Sequence, residues 1–511
     1  MKKRFCYFIL LTCLGVFSGV WAQDKRPNMV IIISDDHAFQ AISAYGRKPY
    51  NHTPNIDRIA DEGILFNKAY VTNSICGPAR AAILTGKYSS KNGYKDNENS
   101  RYDSSQNQFV NELQRAGYQT AWIGKYHLGK NPKGFDYSEI LPGQGHYFNP
   151  DFILPDGKVV RKEGYVSDIV EDTAEKWLDE RDPSKPFCLI IGHKATHRTW
   201  MPDIQDLNTF EKTHFSLPET FYDDYKTRKA AQVQDMSIEK TLIMGYDLKM
   251  YPNSADQDRE GNFSRMNQQQ RDAYNAHYGP ILADLQTQNL SGNALTEWKY
   301  QRYMKDYHAT AISLDRNIGR TLDYLDKHNL SENTIVIYLS DQGFYMGEHG
   351  WFDKRFMYEE SFRTPMVMCF PKNIKPKQKT DALIMNIDIA PTLLEYAGVS
   401  IPKDMHGNSF KALVDGKKYK KQKTIYYHYY ENGEHSVSPH FGVRDERYKL
   451  IRFYKRVEGW EFFDLKKDPK ELNNLYFSKK HKKIIRKMKK QMLEKIKQYE
   501  DNDALQIFNK G

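Results

Sequence analysis

"NMVIIISDDH", residues 28 to 37, is an unbroken apolar, β-branched run that ends in two acids and a histidine. A run without polar alternation reads as a strand buried on both faces, and its polar end marks where it leaves the core. Three further segments have the same build: "YQTAWIGKYHLG" (118–129), "PFCLIIGHKATH" (186–197) and "NTIVIYLSDQG" (333–343). Helical segments lie between them. "TPNIDRIADEG" (53–63) has Thr53 as N-cap, Pro54 in the first turn and Gly63 as stop. "MKDYHATAISLDRNIGRTLDYLDKH" (304–328) is a long amphipathic helix leading into the last of these strands. The pattern predicts an α/β fold, a mainly parallel sheet flanked by helices. In such sheets the site lies beyond the carboxyl ends of the strands. SDDH, GKYH, HKATH and SDQG are then aimed at one crevice.

The remainder of the 511 residues suits one large domain plus a smaller one. Residues 201–300 are polar and weakly periodic and read as an insertion over the sheet. From about 424 the pattern shifts to short alternating strands, "KTIYYHYY", "HFGVRDERYKLIRFY" and "GWEFFDL". These predict a smaller C-terminal antiparallel sheet closed by the terminal helix. The expected division is 23–415 for the main α/β domain and 416–511 for the C-terminal α+β subdomain. The start, "MKKRFCYFILLTCLGVFSGVWAQ", has a basic head, a short apolar core and small residues before Gln23. It reads as a signal peptide over residues 1–22, so the chain is exported, to the periplasm, with the cell surface or the medium as alternatives. That apolar core is short and interrupted by Ser and Gly, and no later stretch is long and apolar enough to span a bilayer.

The net charge of +10 is concentrated in "SKKHKKIIRKMKKQMLEKIKQ" (478–498). Ile484, Ile485, Met488, Met492 and Ile496 make an apolar stripe there, which marks a solvated helix rather than a nucleic-acid surface. Of five cysteines, Cys6 and Cys13 leave with the signal, so Cys76, Cys188 and Cys369 can form at most one disulfide. Cys188 and Cys369 sit in apolar runs and read as buried, inert thiols.

The polar strand ends carry the chemistry. Asp35-Asp36 and Asp341-Gln342 are oxygen-donor pairs. Carboxylates cannot be buried together without a cation or protons between them. An all-oxygen set with no His or Cys pair at zinc spacing favours a hard divalent cation, calcium more than magnesium. The alternative is that each pair caps a helix. In "NSICGPARAAILTG" (73–86), Pro78 suits a first helical turn and Gly86 the stop. Cys76 then lies at a helix N-terminus, which attracts anions and lowers a thiol's pKa. Arg80 points its fork at the same spot, matching phosphate or sulfate.

Cys76-Gly77-Pro78-Ala79-Arg80 with the downstream Leu84-Thr85-Gly86 resembles the signature of the type I sulfatases. "SDDH", "TPNIDRIADEGILFNKAY", "GKYHLG", "HKATH" and "SDQGFYMGEHGWFDK" agree with that family in order. The resemblance covers most of residues 27–410 and the stretch "FFDLKKDPKELNNL". It implies an alkaline-phosphatase-like fold. It also implies that a sulfatase-maturation enzyme oxidises Cys76 to formylglycine, whose hydrate attacks sulfur with one hydroxyl and expels sulfate with the other. The implied calcium ligands are Asp35, Asp36, Asp341, Gln342 and modified Cys76, although many relatives carry Asn in place of Gln342. Arg80 and Lys125 match the groups that hold the formylglycine, and His127 the base that releases sulfate. His197 matches an acid or sulfate-binding histidine, with Thr196 where many relatives have Pro and His193 as a nearby competitor. Lys354 matches the lysine on the sulfate oxygens.

"DQGFYMGEHGWFDKRFMYEESFRTP" further resembles sulfatases of glycosaminoglycan sugars, especially glucosamine 6-sulfatases. That implies that Asp353 and Arg355 reach sugar hydroxyls and that His440 or His435 closes the pocket. The alternative for Asp353 and Arg355 is a surface ion pair; for Trp351 and Tyr345 it is stacking on a sugar or burial in the core. The expected function is a sulfatase of N-acetylglucosamine 6-O-sulfate from heparan- or keratan-type chains or mucin. Three readings compete with it: a sulfatase of another sulfated compound, a phosphodiesterase or phosphonate hydrolase of the same superfold with zinc or manganese, and a silent glycan-binding protein. The last needs a broken motif, and every expected position is filled.

Overall fold

The computed structural model describes residues 26–46, 48–129, 132–259 and 261–510; the expected signal peptide lies outside them. The four apolar runs form the middle of a ten-stranded sheet. β1 (Asn28–Ser34) pairs in parallel with β3 (Phe187–Gly192) on one side and β4 (Thr334–Ser340) on the other, and β2 (Gln119–Lys125) lies parallel beyond β3. Every residue of β1, β3 and β4 is buried, which is why none of them alternates. Antiparallel strands appear only towards the edges. Met366–Cys369 runs against β4, and Asp151–Ile153 and Val159–Arg161 form the far edge.

The register levels the strand ends. Ile33 pairs with Gly192, and Ser34 with Ser340. Beyond the strands, Asp35 N–H donates to Ala195 O (3.1 Å), and Asp341 N–H donates to Ser34 O (3.1 Å). The polar tails of β1, β3 and β4 are therefore held side by side.

Two local expectations change. α1 (Pro54–Asp61) begins where the sequence places it, but Thr53 makes no side-chain cap bond; its hydroxyl instead accepts the Ser43 N–H at 3.0 Å. Gly63 is not a left-handed stop. A Cβ there would lie 2.0 Å from the Met368 carbonyl oxygen, so the glycine serves a close backbone approach. α2 (Cys76–Thr85) does end as expected, with Gly86 at φ 63° and its N–H on Ala82 O. α3 (Gly292–Lys327) is longer than expected and starts well before residue 304. The 201–300 region also holds the helix Gln268–Gln288.

α3 packs against the helix Val166–Glu180, where Thr321 donates to the buried Glu171 at 2.8 Å. The second Glu171 oxygen has no partner among the described residues. Burial lifts this carboxyl from 4.5 to about 8. The folded state thus keeps a proton that the unfolded chain releases. Its stabilising contribution is complete below about 4.5 and is lost as pH rises through about 8. Glu171→Gln should leave Tm nearly unchanged at pH 5 and raise it increasingly towards pH 8.5, by a few degrees. A gain that does not grow with pH in thermal unfolding contradicts this.

The C-terminal strands Thr424–Tyr429, His440–Asp445, Tyr448–Phe453 and Gly459–Asp464 form a four-stranded antiparallel sheet. α4 (Lys482–Gln498) covers it with Ile485, Met488, Met492 and Ile496, while Ile484 is half-buried. The same apolar cluster includes Tyr345, Trp351, Phe356 and Tyr358 from the segment after β4. Trp351 and Tyr345 are fully buried in it and are core residues rather than a sugar platform. Cys76, Cys188 and Cys369 are buried and free. Among the described residues no helix is long and apolar enough to cross a membrane.

Candidate functional site

Neither acid pair caps a helix. The 3-10 turn after Asp36 has Ala38 at its N-cap, and the turn after Gln342 has Gly347 there. Asp35, Asp36 and Asp341 instead converge, fully buried, with carboxylate oxygens within 4.8 Å of one another. The Asp36 N–H donates to Asp341 Oδ1 at 3.2 Å. Asp36 is raised to about 6 by burial, against the pull of Lys354 and with a further push from Asp341. Asp35 Oδ1 and Gln342 Oε1 are buried without a hydrogen-bond partner among the described residues. Three carboxylates and an amide oxygen, two of their oxygens unmet, fit a hard divalent cation.

Cys76 is the first residue of α2 and lies beside this cluster; Gln342 Nε2 is 3.6 Å from its sulfur. The thiol is pushed up to about 12 by burial, with Asp341 and Asp36 adding and Lys354 opposing. This reverses the expected lowering at a helix end: full burial next to carboxylates outweighs the helix dipole. Such a thiol is not a ready thiolate nucleophile.

Cations surround the acids. Arg80, fully buried, donates through Nε to Asp341 Oδ2 (3.0 Å) and through Nη1 to the Lys125 carbonyl (2.8 Å). Lys125 extends its ammonium to Asp35 and to Gln144 Oε1. Burial, Lys194 and Lys354 hold Lys125 well below its usual range, with Asp341 opposing them. Lys354 Nζ lies 2.6 Å from Asp36 Oδ2; burial opposes its charge, but Asp36 prevails and keeps it protonated.

Both expected histidines are held neutral. His127, at φ 58°, has a buried Nδ1 without a partner among the described residues. Burial, then Lys125 and Arg80, keep it well below the usual histidine range. His197 places Nδ1 2.6 Å from the Arg198 carbonyl, which leaves Nε2 facing Asp36 at 3.8 Å. Burial, Lys125 and Lys354 hold it low as well. His193 is fully buried and, unlike His197, does not line the cavity.

A cavity of about 290 Å³ opens above Cys76, Asp36, His197 and Lys354. Its wall carries Asp353 and Arg355, only 7% and 8% exposed, so they are not a surface pair. Left-handed backbone at Asp353 (φ 77°) and Arg355 (φ 96°) flanks Lys354. Arg355 Nη1 lies 2.8 Å from Glu431, and Asp353 Oδ2 lies 3.0 Å from His435 Nε2. His435 is therefore the C-terminal histidine that reaches the site, through Asp353 rather than as part of the cavity wall itself. His440 is not: its Nδ1 lies 2.9 Å from the Ser438 carbonyl, its Nε2 accepts the Met357 N–H, and its ring packs on Phe356 and Tyr427.

The cavity also takes residues that sequence reasoning missed: Asn97, Gln144, Arg198, Tyr246 and Glu431. Arg198 follows His197 directly, a proximity that could have singled it out. Its guanidinium is paired with Asp247 at 2.6 and 2.7 Å. Glu431 and Gln144 arrive from loops that carry no motif.

A sulfatase family model matches residues 27–399, and a model of the C-terminal region of N-sulphoglucosamine sulphohydrolase matches residues 347–498. Over 499 residues the chain is 46% identical to the N-acetylglucosamine-6-O-sulfatase of Bacteroides thetaiotaomicron, covering 94% of this chain and 88% of that protein. It is 28% identical to an arylsulfatase of Clostridium perfringens, covering 93% and 95%. A solved structure of a protein in complex with its substrate D-glucosamine-2-N,6-O-disulfate matches with a TM-score of 0.91 at 45% identity, covering 94% of this chain and 99% of that one.

Proposed function

Because this chain belongs to the sulfatase family, we propose that it hydrolyses the 6-O-sulfate ester of N-substituted glucosamine from glycosaminoglycans or mucin. The observation that carries the reading is the position of Cys76, at a helix start on a cavity floor among three buried carboxylates and the cations Arg80, Lys125 and Lys354. The sugar is supported by the wall, where Asp353, backed by His435, and Arg355 offer an acceptor and a donor for hydroxyls, and by the substrates named for the two relatives near 45% identity.

Asp35, Asp36, Asp341 and Gln342 would hold calcium, with modified Cys76 completing the shell. A maturation enzyme would convert Cys76 to formylglycine, which supplies a hydroxyl nucleophile, and calcium supplies positive charge beside it. The chain's own residues do the rest. Arg80 fixes Asp341 and keeps Nη2 available. Lys125 and Lys354 set positive charge where the sulfate oxygens gain negative charge. His127, neutral and with an open Nδ1, takes the proton whose removal releases sulfate. At His197, Nε2 is the nitrogen left for the ester oxygen, and a bound sulfate beside it favours the protonated, donating form. The reading includes export behind residues 1–22 to the periplasm, and a division near residue 415 between the catalytic domain and the subdomain that brings in His435.

Sulfate release from a panel of monosulfated sugars tests this. N-acetylglucosamine 6-sulfate and glucosamine 2-N,6-O-disulfate should exceed 4-O- and 2-O-sulfated sugars by about 100-fold or more in kcat/KM, the scale of losing well-placed polar contacts. Preference for another position, or for phosphate diesters, would sink it.

A further inference from the structure

At the site, Arg80, Lys125 and Lys354 each sit on a carboxylate, Asp341, Asp35 and Asp36 in turn. Lys194, just beyond β3, does not. It is 3% exposed, and among the described residues no carboxylate lies within ion-pair distance of it. Its ammonium donates to the Gln144 carbonyl oxygen at 3.1 Å and lies 4.8 Å from the centre of the Tyr147 ring. Both partners lead into the site. Gln144 lines the cavity, and its side-chain oxygen meets the Lys125 ammonium. The Tyr147 hydroxyl donates to the His197 carbonyl at 2.5 Å.

Burying an ammonium group without a counter-charge, close to two others, destabilises a fold. Burial lowers Lys194 to about 8, Lys354 adding to the effect and Asp36 opposing it. A purely structural position would be served better by an apolar side chain of the same length. A negatively charged ligand changes that balance, because it supplies the charge that the protein withholds from Lys194.

We propose that Lys194, set behind the Gln144 wall of the cavity, is a further positioning residue of this site: its charge adds to the field that binds the sulfate group, and its bond to Gln144 positions Lys125. The inference rests on the sulfatase reading above.

The test uses the full calcium-loaded chain with Lys194→Met and Lys194→Arg. Lys194→Met should raise KM for N-acetylglucosamine 6-sulfate about tenfold with a smaller change in kcat, the scale of one unit charge acting across a partly hydrated site. It should also shrink the Tm rise produced by inorganic sulfate, while its own Tm stays equal to the wild type or increases. Lys194→Arg should keep both properties within about threefold. Unchanged sulfate binding in Lys194→Met would overturn the inference. So would a fall in its own Tm, which marks a structural role, or an arginine variant as impaired as the methionine one. If the wild type released sulfate from no sugar, the sulfatase reading would fail, and the Tm response to sulfate would still decide Lys194.

Discussion

Cys76→Ala should lose sulfate release by about 10⁴-fold or more in kcat/KM, as removal of a covalent nucleophile does. Its stability should barely change. Among the described residues the sulfur's one hydrogen-bond contact is the long one from Gln342, and the side chain is small, so truncation removes little packing at the start of α2. The unmodified thiol offers no alternative route, because burial beside Asp36 and Asp341 pushes it to about 12. Thermal unfolding together with sulfate release separates the two effects. Activity within about 100-fold of wild type would show that the nucleophile is elsewhere.

Arg80→Ala should damage both fold and function. Arg80 is fully buried and holds Asp341 with Nε and the Lys125 carbonyl with Nη1. Removing it leaves a buried carboxylate without its counter-charge, which costs about 3–5 kcal/mol. It also loosens two groups at once: the buried Asp341 carboxylate and the backbone that carries the Lys125 side chain. Sulfate release should fall by about 10³-fold. Arg80→Lys should recover part of the stability but little activity, since one ammonium cannot serve both acceptors of the fork. Denaturant unfolding at wild-type stability for Arg80→Ala would contradict this.

The fold was legible wherever burial is two-sided. β1, β3 and β4 read as strands because nothing in them alternates, and the sheet proved to have the expected parallel centre. The fold is the alkaline-phosphatase-like one of the sulfatases, with the small C-terminal antiparallel sheet. The acids were legible because polar residues that end a buried strand must face somewhere common. Features set by distant neighbours were not. Gly63 looked like a helix stop, but its role depends on the Met368 backbone passing beside it. The Cys76 thiol looked acidified by its helix, but burial, with Asp36 and the sequence-distant Asp341 adding to it, reverses that. His435 and His440 were indistinguishable in sequence. Only the pairing of the strand His440–Asp445 turns His440 into the core, while His435 sits outside the strand, on Asp353. Lys194 was passed over because it carries no motif beside His193 and His197.

The most direct test is the mass of the tryptic fragment Ala69–Arg80, which contains Cys76, from protein recovered from its native host. The account expects the mass deficit of a thiol converted to an aldehyde at Cys76, together with sulfate release by the same preparation. An intact thiol in protein that releases sulfate would contradict it.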